Sequence, residues 1–144
     1  MEISERIKEK LDKKIIAWEE KSARRIYFTV DKKDIFQTAQ FLFKELNLRF
    51  ATASGMETPQ GFEILYHFSD DSCGIIYSAR VILEGGKNQQ VQSISPIFPG
   101  AEWIEREMWE MLGINFTGHP NLKRLLLAED WPDGQYPLRQ NHES

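Results

Sequence analysis

Apolar side chains recur at Ile3, Ile7 and Leu11, every fourth position among Lys and Glu, which predicts a short amphipathic helix near the N-terminus. Ile15–Trp18 reads as a brief strand. Arg25–Val30 alternates, with Ile26, Phe28 and Val30 on one face and Arg25, Tyr27 and Thr29 on the other, as a half-buried strand does. Asp31 is placed to cap the next helix, and Asp34 adds negative charge in its first turn. Ile35, Ala39, Leu42, Phe43 and Leu46 form its apolar stripe, which ends near Asn47. A strand through Leu48–Ala53 follows. Phe62, Ile64, Tyr66 and Phe68 alternate with Glu63, Leu65, His67 and Ser69. The turn-forming Asp70-Asp71-Ser72-Cys73-Gly74 then leads into Ile75–Leu83, predicting a hairpin. Glu84–Asn88, with Gly85-Gly86, is a loop tip, and Val91–Ile94 a last strand before Pro96 and Pro99. Residues 101–112 form a clear helix, with Gly113 as a left-handed stop. Beyond it, Gly and Pro interrupt a segment that still carries Leu122, Leu125, Leu126, Leu127, Trp131, Tyr136 and Leu138, with a type I turn at Trp131-Pro132-Asp133-Gly134. Such an apolar, irregular stretch needs cover.

This order of elements predicts an α+β fold: a single domain with helices packed on one mostly antiparallel (mixed) sheet, then an irregular Pro-containing tail. The division expected is an α/β domain over 1–113 and an extended segment over 114–144.

Length and charge narrow the function. A chain of 144 residues suits one domain and buries a core without staples. No apolar run approaches the ~20 residues of a membrane-spanning helix. The opening MEISERIKEK has no apolar core behind its charges, so no secretory signal is expected and a cytoplasmic home follows. The net charge is −4, with ten Lys/Arg against seven Asp/Glu in residues 1–33 and eight against fifteen thereafter. An acidic body argues against nucleic acid as a partner. Cys73, the single cysteine, can neither form an internal disulfide nor by itself hold an iron–sulfur cluster.

The helix at 101–112 is the most loaded part of the chain. At 100° per residue, Ala101, Ile104, Met108, Met111 and Leu112 share one arc and are expected to face the core. Glu102, Arg106 and Glu110 fall opposite as a charge ladder between Trp103 and Trp109. Glu105 and Glu107 flank the apolar arc. Large aromatics beside charges suit a partner surface better than solvent. A metal site is not expected, because no His lies three residues beyond these glutamates and His67, His119 and His142 share no ligand spacing. His119, in Gly118-His119-Pro120, reads as a turn residue bonded to nearby backbone or carboxylate in preference to a proton-linked switch. There is no phosphate loop, nucleophile elbow, HExxH or CxxC pair. No catalytic, cofactor-binding or metal-binding residue is assigned.

The stretch from Pro99 to Arg139 resembles the 30 kDa-type subunit of respiratory NADH:quinone oxidoreductases (complex I) and of related energy-converting [NiFe] hydrogenases. It carries Glu105-Arg106-Glu107, Glu110-Met111-Leu112, Gly113-Ile114-Asn115-Phe116, Gly118-His119-Pro120, Leu122-Lys123-Arg124-Leu125-Leu126, Asp130-Trp131 and Pro137-Leu138-Arg139. His119 stands twelve residues beyond Glu107, and Lys123 four beyond that, at the family's spacing. The preceding part agrees in its order of elements.

The resemblance implies a non-catalytic, cofactor-free structural subunit of a membrane-associated electron-transfer complex, peripheral on the cytoplasmic side of the cell membrane. It would pack on the large [NiFe]-hydrogenase-like subunit (the 49 kDa type) beside iron–sulfur subunits. Iron–sulfur clusters, with either FMN and NADH or a [NiFe] centre, would sit on those other chains. Residues 114–144 would act as a docking strap, and Trp103, Glu105, Arg106, Glu107, Trp109, Glu110, His119, Arg124, Trp131, Tyr136, Leu138 and Arg139 would form the partner interface. Where many relatives follow Pro-Leu-Arg with Lys-Asp and an aromatic, this chain has Gln140-Asn141 and ends at Ser144. That difference keeps the hydrogenase and formate-hydrogenlyase branch open as an alternative. Two other readings are a small acid–base enzyme using Glu105, Glu107 and His119, and a free-standing protein-interaction module.

Overall fold

The fold comes from a computed structural model that describes residues 2–85 and 89–120. Three α-helices lie among them: α1 (Ile3–Leu11), α2 (Ile35–Lys44) and α3 (Ala101–Leu112). The strands are β1 (Ile15–Ser22), β2 (Arg25–Val30), β3 (Arg49–Thr58), β4 (Gly61–Asp70), β5 (Ile75–Glu84), β6 (Gln90–Gln92) and β7 (Asn115–Thr117). The first five form one sheet in the order β1-β2-β5-β4-β3. Within it β2 pairs with β5 in parallel and the other three pairings are antiparallel, so the sheet is mixed and mostly antiparallel. Helices on one face of such a sheet make the fold α+β, as the pattern of elements predicts.

Local chemistry accounts for most boundaries. Ile7 and Leu11, four apart, bury the inner side of α1. The Asp31 carboxylate accepts from the Lys33 amide at 3.0 Å and caps a single 3-10 turn that runs into α2. Asn47, at φ 57°, turns the chain out of that helix. The β4–β5 turn closes where Gly74, at φ 75°, donates its amide to the Asp70 carbonyl at 2.8 Å. Gly113, at φ 80°, ends α3 by donating to the Trp109 carbonyl.

Along β4, Phe62, Ile64, Tyr66 and Phe68 are buried while Glu63, Leu65 and His67 are half-buried. Tyr77, Ala79, Val81 and Leu83 of β5 join Ile26, Phe28 and Val30 of β2 on the same inner face. Trp18 stacks on its cross-strand neighbour Phe28, and Lys8 of α1 lies over the Trp18 ring. On the outer face Arg80 pairs with Glu63, approaches Glu19 at 3.6 Å and lies over Tyr27.

Three boundaries differ from the sequence reading. β1 and β3 run on to Ser22 and Thr58, because residues of theirs that no alternation marks pair in register with β2 and β4. β7 is an added strand. It pairs in parallel with β6 and puts Ile114 (0% exposed) and Phe116 (1%) into the core. Residues 114–117 therefore belong to the domain, and a division at 113 cuts through its packing. The expected turn at 131–134 and most of the expected strap lie outside the described residues.

Candidate functional site

Helix α3 sits against β3, and Gly55 makes the approach possible. A Cβ there would stand 2.9 Å from the Met108 sulfur and 3.1 Å from Leu112 Cδ1. Ala101, Glu105, Met108 and Leu112 are all buried at the i, i+4, i+7, i+11 spacing of one helix face. The centre of this buried face is therefore turned by roughly 40° from the one read off the apolar residues, and it takes in Glu105.

Burial also reaches far round the helix from that face. Arg106 (6% exposed) and Glu110 (3%) are buried, so the expected open charge ladder is corrected: this side of α3 is covered within the chain. The Arg106 guanidinium lies 5.2 Å from the centre of the Trp103 ring. Glu102 and Trp109 are half-buried. What faces outward is Trp103 (58% exposed) and Glu107, with the half-buried Ile104 and Met111 beside them. Ile104 packs against the core as expected, while Met111 stands half-buried at the edge of this arc.

Glu105 accepts hydrogen bonds from the Ser93 hydroxyl at 2.6 Å and the Ile94 amide at 2.9 Å, tying α3 to the chain just after β6. Ser93 is in turn bonded to the Ser95 hydroxyl. From the turn after β7, His119 Nε2 donates to the Glu102 carbonyl at 2.9 Å and stands 3.9 Å from the Glu105 carboxylate. The turn-residue reading of His119 thus has its backbone partner and a carboxylate beside it. Burial pushes the Glu105 carboxyl above the usual carboxylate range, against the pull of Ser93, Ile94 and His119. The Tyr66 hydroxyl is also driven up by burial, with Glu105 adding to the effect, and among the described residues it has no hydrogen-bond partner.

This cluster is a clamp, not an acid–base site. Glu105 is sealed inside while Glu107 is exposed on another edge, so the two do not converge on a substrate. Ser93 and Ser95 were missed in the sequence, where nothing distinguishes them from loop serines. Among the described residues, no group of three or more His, Cys, Asp or Glu could hold a metal ion. No helix there is long and apolar enough to cross a membrane. His67 hydrogen-bonds Ser78 at 2.7 Å on the outer sheet face, and Cys73 is exposed in a turn. Arg124, Trp131, Tyr136, Leu138 and Arg139 fall outside the described residues.

Comparisons with known proteins converge. A family model described as respiratory-chain NADH dehydrogenase, 30 Kd subunit, matches residues 28–144. The C-type subunit of NADH-quinone oxidoreductase from Sinorhizobium medicae is 39% identical over 95 residues, covering 64% of this chain and 45% of that protein. Its counterpart from a Nocardioides species is 32% identical over 127 residues, covering 81% of this chain and 48% of that protein. The chain thus spans about half the length of these curated relatives. A chain of the membrane-bound sulfane sulfur reductase, an archaeal respiratory membrane complex, shares the fold with a TM-score of 0.82 at 21% identity, covering 94% of this chain and 80% of that one. The trypsin-resistant fragment (1-134) of Nqo5 shares it with a TM-score of 0.69 at 19% identity, covering 85% of this chain and 100% of that fragment.

Proposed function

The chain belongs to the family of the respiratory-chain NADH dehydrogenase 30 Kd subunit, and from that premise we propose that it is a non-catalytic structural subunit of a membrane-associated NADH:quinone oxidoreductase. The family match over residues 28–144 carries this reading. The outward arc of α3 gives it a physical basis. A tryptophan 58% exposed, with the exposed Glu107 and the half-buried Met111 near it, has the aromatic anchor and mixed rim of a protein interface. The partner proposed is the large [NiFe]-hydrogenase-like subunit (the 49 kDa type), with iron–sulfur subunits nearby. In this reading the iron–sulfur clusters and FMN reside on other chains, and this one is peripheral on the cytoplasmic side of the membrane.

The test is affinity purification of the full chain from detergent-solubilised membranes of its own host, followed by native electrophoresis. The wild type is expected in a multi-subunit band that contains the large subunit and oxidises NADH. Trp103→Asp is expected to leave the band while the isolated chain stays cooperatively folded, its melting temperature lowered only by the lost contact with Arg106. A wild-type chain that migrates free of any iron–sulfur complex overturns the proposal. A band that oxidises hydrogen and not NADH moves the chain to the energy-converting hydrogenase branch.

A further inference from the structure

The helices cover the inner face of the five-stranded sheet, and the outer face presents its own side chains as its surface. The middle of that surface is closed. Arg80 pairs with Glu63, reaches the Thr29 hydroxyl and lies over Tyr27, and Ser78 beside them is buried. One end differs. Five large apolar side chains stand exposed among the described residues, and three of them, Ile16, Ile82 and Met56, form a row across this end. Strand register places them: Met56 is opposite Glu63, and Glu63 is opposite Ile82. Ile16, in the bulge between Ile15 and Ala17, shares a hollow with Thr29, Asp31 and Ile82. A second hollow beside Ile82 is bordered by Thr58, Gln60, Glu63 and Glu84.

The row runs across the strands, and β2, β5 and β4, inside the sheet, spend their backbone groups on ladder partners. A segment laid over it meets side chains only and must satisfy its own N–H and C=O groups. A helix does so, whereas a lone extended segment does not. Ile16, Ile82 and Met56 come from β1, β5 and β3, each two strands from the next, or roughly 9–10 Å apart. Residues seven apart along a helix are separated by ~10.5 Å. Apolar side chains at i, i+7 and i+14 of a helix of about four turns therefore match the row. Charge selects further. Glu63 and Arg80 neutralise each other, which leaves Asp31 and Glu84 against Lys32 among the charges bordering the two hollows. The complementary flank is basic.

We infer that this end of the outer sheet face is a docking site for an amphipathic helix with a basic flank. A neighbouring subunit supplies the helix, so the site rests on the assembly reading. It is a second contact, on the opposite side of the sheet from α3 and Trp103. Residues 121–144 of the chain itself fit the row poorly. They start just after His119, which is bonded to Glu102 in the first turn of α3, whereas Gly55, next to Met56, meets Met108 and Leu112 in its last turns. Pro132 and Pro137 also leave no uninterrupted run of four turns among them.

The experiment places the photo-crosslinker p-benzoylphenylalanine at Gln60, on the border of the second hollow, and leaves the three apolar anchors intact. The full chain is purified in its complex from detergent-solubilised membranes of its own host, irradiated, and the cross-linked peptide is sequenced by mass spectrometry. The probe is expected to join one segment of a neighbouring subunit, with apolar residues at i, i+7 and i+14 and Lys or Arg alongside. Ile82→Asp and Glu84→Lys should each cut that yield by about tenfold, the first by removing the central anchor and the second by repelling the basic flank. Glu84→Lys, at an exposed position, should leave unfolding of the isolated chain unchanged. The same probe at Thr52, towards the other end of the outer face, should not label the segment. A chain found free of any complex sinks the assembly reading and this site with it. A chain held in the complex overturns this site alone if the probe labels nothing, a second copy, residues 121–144 or a segment without that pattern. A yield indifferent to both variants does the same.

Discussion

Tyr66 shows how one polar atom can weigh against its own side chain. The ring is 0% exposed and belongs to the central part of the sheet, yet its hydroxyl has no hydrogen-bond partner among the described residues. Such a group loses water without compensation. Tyr66→Phe should therefore be neutral or stabilising by up to about 1 kcal/mol in urea unfolding, whereas tyrosine removal normally destabilises a core. Gly61 sits at the opposite extreme. It takes φ 148° in the β3–β4 turn, and a Cβ there would stand 2.0 Å from the Leu83 carbonyl oxygen, backbone that cannot step aside. Gly61→Ala should destabilise the chain by at least about 2 kcal/mol, read from the same measurement. Both residues were visible in the sequence as a strand tyrosine and a glycine, but the consequence of each is set by atoms on other strands.

At the scale of elements, α3 is the instructive case. Its length, its stop at Gly113 and its amphipathic character follow from local spacing. Its orientation does not, because Glu105 acquires partners just after β6 and turns the buried centre toward itself. The prediction belongs to that rotation. Met108→Ala, at a site 5% exposed, should cost about 2–4 kcal/mol in denaturant unfolding. Met111→Ala, on the outward arc, should cost under about 1 kcal/mol. Equal losses at the two methionines would return the helix to the simple apolar-arc orientation. Arg106 and Glu110 are a second consequence: charges spaced four apart look like a solvated ladder, but both are covered. Arg106→Ala should now weaken the isolated chain itself, by about 1–2 kcal/mol through its loss of packing and of the contact with Trp103.

The whole molecule is closed by a strand that lies past the last described helix. β7 is three residues long, yet Ile114 and Phe116 are among the most buried side chains, and among the described residues β6 has no other strand partner. A chain ended after Gly113 forfeits both apolar anchors, about 2–5 kcal/mol apiece, out of a total of roughly 5–15 kcal/mol for a domain of this size. Such a truncation should lose its cooperative thermal transition by circular dichroism. A transition retained at the full-length midpoint would make β7 dispensable and restore the boundary at 113.

Most elements of this protein, though not β7, and its family, were decided by the sequence alone. Alternation along β2, β4 and β5, fourfold spacing in α1 and α2, the Asp31 cap and the Gly113 stop each depend on neighbours within a few residues. The fixed offsets of Glu105, Arg106, Glu107 and His119 are likewise readable from the chain. Pairings between distant segments were decided only by the tertiary structure. β2 lies parallel to β5 across 51 residues, the offset between Arg25 and Ile76. Ser93, Glu105 and His119 meet in one cage although 26 positions separate the first from the last. Periodicity reports which side of an element is apolar on average, whereas burial is set by what docks there. A carboxylate that finds two donors and an imidazole can be drawn inside, while Met111 is left half-buried at the edge.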